Sequence, residues 1–242
     1  MDDFELDFSL PDFDLGFDEP EDDGAEKEKH PIEYMPDYQQ KRARGLDNLF
    51  HMNAPGGNEW GIPETEPMTE NLYGIEWISF WDKSKYIGDP ENMGVHFFIE
   101  DFQFKSIWEK PDKHLDFLRN CRAVVTPDFS VYTDMPKAQQ LWNHYRRQWC
   151  AKYWQDNGVN IVSCVTWDLL DPQPWSLYGI PNGTQIARSW VNKNGMKQER
   201  LTEFLKIIDR LEPTKIFIKC SPADERELRK HFNFEVIPPV RW

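Results

Sequence analysis

A chain of 242 residues with 42 acidic and 28 basic side chains has room for one large domain, or for one domain and a tail, and the charge distribution favours the second. Residues 1–29 hold thirteen Asp or Glu and two Lys, so residues 30–242 carry a net charge of only −3. A near-neutral body leaves nucleic-acid binding by counterion release open, and the lack of any apolar run of about 18 residues argues against secretion and membrane insertion.

The acidic segment contains a doubled pattern. Phe4, Leu6 and Phe8 recur as Phe13, Leu15 and Phe17, separated by acidic or small residues. Such an alternation has too little apolar mass for a core of its own and is expected to be a disordered acidic tail when free. Its spaced side chains suit docking on a protein partner, with the carboxylates steering toward a basic groove. The alternative is a solubilising tail with no specific partner.

From residue 30 to about 70 the chain is polar and broken by Pro and Gly, which predicts an irregular segment wrapped over the domain. Residues 71–242 then alternate strand-like and helix-like patterns. A first strand falls within 71–81, and GVHFFI at 94–99 is a buried strand. A short helix comes next at 112–120, and residues 123–126 form another strand. The segment 136–157 reads as a long helix whose apolar stripe comprises Ala138, Leu141, Trp142, Tyr145, Trp149 and Tyr153, stopped at Asn157-Gly158.

NIVSCVTW (160–167) and TQIARSWV (184–191) are further strands. A helix at 197–211 has its stripe at Leu201, Phe204, Leu205, Ile208 and Leu211. KIFIKC (215–220), a helix opened by Ser221-Pro222 with a capping-box spacing, and FEVI (234–237) complete the chain. The alternation predicts an α/β fold: a mainly parallel sheet covered by helices on both faces, as an open doubly wound sheet or an incomplete β/α barrel. Cys121, Cys150, Cys164 and Cys220 form no CxxC pair and fit reduced, buried thiols of a cytoplasmic protein.

In either architecture ligands bind beyond the carboxyl ends of the strands. Three successive strand ends carry Asp101, Asp128 and Asp168. Converging carboxylates of this kind suit Mg²⁺ or Mn²⁺, and Asp128 and Asp168 are the candidates for metal-assisted phosphoester chemistry. The competing reading is that each simply caps a turn after a strand.

PDFSVYTD (127–134) is over-long and aromatic for a plain connection and reads as the wall of a site. Ser130, Tyr132, Asn182, Thr184 and Ser189 are candidate ligand contacts, and Trp167 could stack a base or sugar. The turn at 179–184 does not match the spacing of a P-loop or a dinucleotide fingerprint. On the long helix, Arg146 and Arg147 fall off the apolar stripe, which suits a solvated face or contact with an anion or nucleic acid. No HxxxH, HxH or GxSxG occurs, so zinc and covalent hydrolase chemistry are not expected, nor is haem or an iron–sulfur cluster.

The stretches FFIEDFQF, VVTPDFSVYTDMPKAQQLWNHYRRQW, YWQDNGVNIVSCVTW, YGIPNGTQIARSWV and LEPTKIFIKC resemble a family of phage- and plasmid-borne proteins known only as a domain of unknown function. The resemblance covers roughly residues 90 to 220. It implies a mobile-element origin and a role inside a bacterial host cell, and it supplies neither an activity nor site residues. Two functional expectations stand together: binding of a phosphorylated ligand, nucleotide or nucleic acid, at the strand ends, and a non-enzymatic interaction protein docking through its acidic tail.

Overall fold

The computed structural model describes residues 57–132, 134–166, 175–190 and 197–238. Phe4, Leu6, Phe8, Phe13, Leu15 and Phe17 therefore lie outside the described residues. Strands β1 (Glu76–Ser79), β2 (Met93–His96), β3 (Ala123–Val125), β4 (Ile161–Cys164), β5 (Gln185–Ser189), β6 (Lys215–Lys219) and β7 (Glu235–Ile237) join in chain order into one seven-stranded sheet. Every adjacent pair is parallel. A doubly wound sheet needs a point where strand order reverses, and none occurs among these strands. Sequential winding makes the sheet nearly barrel-shaped, the second of the two expected architectures.

The period of two along each strand divides the apolar residues between an inside and an outside. Ala123, Val125, Val162, Cys164, Ala187, Phe217 and Ile237 point inward and pack as one cluster with Met68, Leu72 and Phe98. Trp77 of β1 meets Phe217 of β6 edge-on at 5.0 Å, a contact between strands far apart in sheet order that curls the sheet toward closure. Gly94 makes room for that indole: a Cβ there would stand 2.6 Å from the Trp77 ring.

The outward residues pack under helices. Ile78, Val95, Val124 and Ile161 lie beneath α1 (Lys105–Glu109), α2 (Leu115–Arg119) and α3 (Lys137–Asp156). Ile186, Ile216 and Ile218 lie beneath α4 (Lys197–Leu211) and α5 (Pro222–Leu228). Ser221 caps α5 by accepting from the Asp224 amide at 3.2 Å. On α4, Ile207 is buried whereas Leu205, expected in the stripe, is exposed.

Residues 62–72 close the amino-terminal end of the barrel. Thr65 donates to Gly179 O through both its amide and its hydroxyl, and the Met68 amide donates to Thr184 Oγ1 at 3.1 Å. Gly179, at φ +78°, is required here, because a Cβ would lie 2.1 Å from Pro63 O. Met68 and Leu72 then enter the interior cluster, so this end is plugged and the carboxyl end stays open. Among the described residues no helix is long and apolar enough to cross a membrane.

Three histidines sit inside this packing as neutral bases. Burial holds the pKa of His96 and His144 down to about 3, with the charges of Lys219 and Arg147 respectively adding to it, and holds that of His114 at about 4. An unfolded histidine titrates near 6.5. The unfolded chain thus binds extra protons below that pH, so the stabilisation is full above about 6.5 and is lost as pH falls toward 3 to 4. We expect the melting temperature to drop between pH 7 and pH 5, and His144→Gln, which keeps a donor for Tyr178 O, to flatten that slope. Identical slopes for the two proteins would show that His144 does not titrate in this way.

Candidate functional site

The loop after β3 has no neighbouring strand to receive its carbonyls, so their hydrogen bonds must come from elsewhere. Helix α3 supplies them. Arg147 Nε donates to Pro127 O at 3.0 Å and Nη2 to Phe129 O at 3.0 Å. Asn143 Nδ2 donates to Ser130 O at 2.6 Å, and Gln140 Nε2 to Tyr132 O at 2.9 Å. Spacings of three and four residues place Gln140, Asn143 and Arg147 on one helical face, and that face is buried against the loop.

The expected stripe on α3 is therefore corrected. Trp142 is 42% exposed and Ala138 is exposed, while Gln140, Asn143, His144, Arg147 and Gln148 are buried beside Trp149 and Trp154. The burial is possible because Gln140, Asn143 and Arg147 meet loop carbonyls, and His144 Nε2 donates to Tyr178 O at 2.9 Å. Arg147 is completely buried and also donates to Thr166 Oγ1 at 2.6 Å, so it faces neither solvent nor an external anion. Arg146 lies with its guanidinium 4.1 Å from the Phe129 ring centre and bonds Asn143 Oδ1. Both arginines hold the loop.

Held in this way, the loop forms one wall of a cavity of about 610 Å³ at the carboxyl ends of the strands. Asp128, Ser130 and Tyr132, three of the residues singled out in the sequence, line it. Facing them are Thr166 after β4, Ser189 and Trp190 at β5, Lys219, Cys220 and Ser221 at β6, and Arg200 from α4. The Asp128 side chain keeps 23% of its surface open and lies 3.4 Å from Arg147 Nη2. Burial pushes its carboxyl pKa up while Arg147 draws it down, and Cys164 Sγ donates to it at 3.3 Å. Lys219 donates to Phe98 O at 2.6 Å; burial lowers its pKa, and the charge of Asp128 opposes that shift.

Asp101 does not line the cavity. Its carboxylate accepts from the Ser130 amide and, at 2.9 Å, from the Ser130 hydroxyl, tying the loop after β2 to the loop after β3. Among the described residues no three His, Cys, Asp or Glu side chains gather as ligands for a metal ion. Asp101 is bound to Ser130, and Asp128 Oδ1 accepts from Arg147 and Cys164. Asp168 and Trp167 lie outside the described residues.

Asn182 and Thr184 require a correction of place. They precede β5, and in a parallel barrel a residue before a strand stands at the amino-terminal end, opposite the cavity. Thr184 is buried there against Met68, and Asn182 borders a separate depression of about 260 Å³ beside Arg210. Lys219 and Arg200 were not expected. The sequence signal for Lys219 was present in KIFIK, where the lysines share a face with Phe217 and the isoleucines take the other.

Residues 54–235 match the domain of unknown function DUF4417, so the acidic repeat falls outside the match. Over 195 residues the chain is 33% identical to the Gene 1 protein of Mycobacterium phage L5, covering 75% of this chain and 82% of that protein. Over 172 residues it is 29% identical to the Gene 1 protein of Mycobacterium phage D29, covering 68% of this chain and 62% of that one. No solved structure matches. The chain belongs to the DUF4417 family, a phage-borne family of unknown function.

The role assigned to Arg147 makes a stability prediction. Removing one member of a buried charged network costs about 3–5 kcal/mol, so Arg147→Met is expected to destabilise by that amount in urea unfolding. Arg147→Lys should recover less than half, since an ammonium cannot reproduce the fork that reaches Pro127 O, Phe129 O and Thr166 Oγ1 together. A cost below about 1 kcal/mol, the range of exposed pairs, would mean that the guanidinium does not hold the loop.

Proposed function

We propose that this DUF4417 chain acts in the cytoplasm of the bacterial host and binds a small phosphorylated ligand, a nucleotide or the end of a nucleic acid, in the cavity at the carboxyl ends of its strands. The observation that carries the reading is the joint presence of Lys219 and Arg200 in a cavity also lined by Ser130, Tyr132, Ser189 and Ser221. Phosphate oxygens accept charge-assisted hydrogen bonds from such cations, and hydroxyls complete the shell. A cavity of about 610 Å³ is within the size range of small-molecule sites, and the open end of a β/α barrel is where such folds bind ligands.

No catalytic step is routed through a divalent ion. Of the predicted acids among the described residues, Asp128 lines the cavity and Asp101 does not, and Asp128 is partnered by Arg147 and Cys164. The reading is therefore one of anion recognition, with Asp128 available for a hydrogen bond or a proton.

Thermal unfolding of the full chain with nucleoside mono-, di- and triphosphates, and with a short 5′-phosphorylated single strand, tests it. A ligand at about 100 times its dissociation constant adds about 2.7 kcal/mol of stability, and the parent nucleoside should add little. Lys219→Met and Arg200→Met should each weaken binding about tenfold, equivalent to about 1.4 kcal/mol. Equal shifts from nucleosides and nucleotides, or none from any phosphorylated compound, would reject phosphate recognition.

A further inference from the structure

We propose that Lys219 is a covalent nucleophile, condensing through Nζ with the carbonyl carbon of a phosphorylated aldehyde or ketone held in the cavity. The phosphate half of this ligand rests on the anion-binding reading above; the nucleophile rests on the placement of the amine.

β6 turns two lysines toward the barrel interior, and the structure treats them differently. Lys215, at the closed end, is neutralised by Glu235 at 2.6 Å and donates to Leu72 O at 3.0 Å. Lys219, at the open end, has no ion pair among the described residues. Its hydrogen bond goes to a neutral carbonyl, Phe98 O, and Phe98 and Trp190 line the same cavity. An amine with an apolar stem, a neutral acceptor and no bound carboxylate is prepared to lose its proton. Burial lowering its pKa agrees with that placement. The acid lining the same cavity that acts on it electrostatically is Asp128, whose carboxyl is itself pushed toward the protonated form.

The step balances without an oxidant or reductant. The neutral Nζ lone pair attacks the carbonyl carbon, the C=O π pair moves to oxygen, and proton transfer from nitrogen to oxygen gives a carbinolamine. Asp128 donates its proton to the carbinolamine hydroxyl, which leaves as water while the nitrogen lone pair closes the C=N bond. The products are a protonated imine, one water and the Asp128 carboxylate. The imine N–H still has Phe98 O as an acceptor, and the new positive charge faces Asp128. Arg200 and the cavity hydroxyls line the same cavity, where the phosphate would lie.

The probe is pyridoxal 5′-phosphate, which carries an aldehyde and a phosphate on one small ring. The full chain is incubated with it, reduced with sodium borohydride, digested and mapped by mass spectrometry. We expect one dominant adduct, on Lys219, saturating at one per chain, with pyridoxal lacking the phosphate labelling that site about tenfold less. Lys219→Arg should lose the adduct, since a guanidinium forms no imine, and an adduct of the same stoichiometry surviving that substitution would overturn the proposal. Asp128→Asn should slow labelling of Lys219 about tenfold without redirecting it.

Adducts spread over exposed lysines such as Lys105 and Lys230 with Lys219 unmodified would overturn the proposal. If phosphorylated ligands still stabilise the chain in that case, the anion site stands without the nucleophile. Labelling of Lys219 equally by pyridoxal and its phosphate, with no stabilisation by phosphorylated ligands, would support the nucleophile and remove the phosphate reading.

Discussion

The guanidinium of Arg147 is the interaction on which the open end of this protein depends. A buried charge is costly unless its donors are all engaged, and here Nε, Nη1 and Nη2 each reach an oxygen of Pro127, Thr166, Phe129 or Asp128. Most of those partners are neutral, so the arginine spends its hydrogen bonds on the shape of the loop and leaves Asp128 turned partly into the cavity. Asn143 and Gln140 continue the same row of donors. Without them the carbonyls of the loop after β3 would be buried and unpaired.

The barrel gives its two ends different chemistry. Small residues at Gly94, Ala123 and Ala187 accommodate Trp77 and Phe217 in the interior, and the chain from 62 to 72 seals the amino-terminal mouth with Met68 and Leu72. Polar side chains at that end are consumed by the seal, as Thr184 and Lys215 show. At the other end, hydroxyls, two basic side chains and the acids Asp128 and Glu100 line a cavity with no plug among the described residues. The contrast between Lys215 and Lys219 on one strand is the simplest expression of this asymmetry.

Part of the site was legible because the rule for parallel strands is local: a residue just after a strand stands at the binding end. It placed Asp128, Ser130 and Tyr132 at the strand end where they line the cavity and, applied consistently, would have placed Asn182 and Thr184, which precede a strand, at the opposite end. The reading of α3 failed for a different reason. Hydrophobic periodicity assumes that the buried face is apolar, and Trp142 and Tyr145 drew the stripe toward themselves. In the fold, Trp142 stacks on Tyr145 at the margin, and the polar row of Gln140, Asn143 and Arg147 is buried because loop carbonyls receive it.

The sequence by itself determined the elements, their parallel sense and the carboxyl-end address of the loop from 127 to 134, since these depend on periodicity, caps and chain order within short windows. Whether the sheet would stay open or curl was beyond it, because closure depends on contacts such as Trp77 with Phe217, separated by most of the domain. The fate of each polar residue was also decided only in three dimensions. Arg147 is structural and Lys219 faces the cavity because hydrogen-bond partners are assigned by distance in space, and no spacing along the chain carries that information.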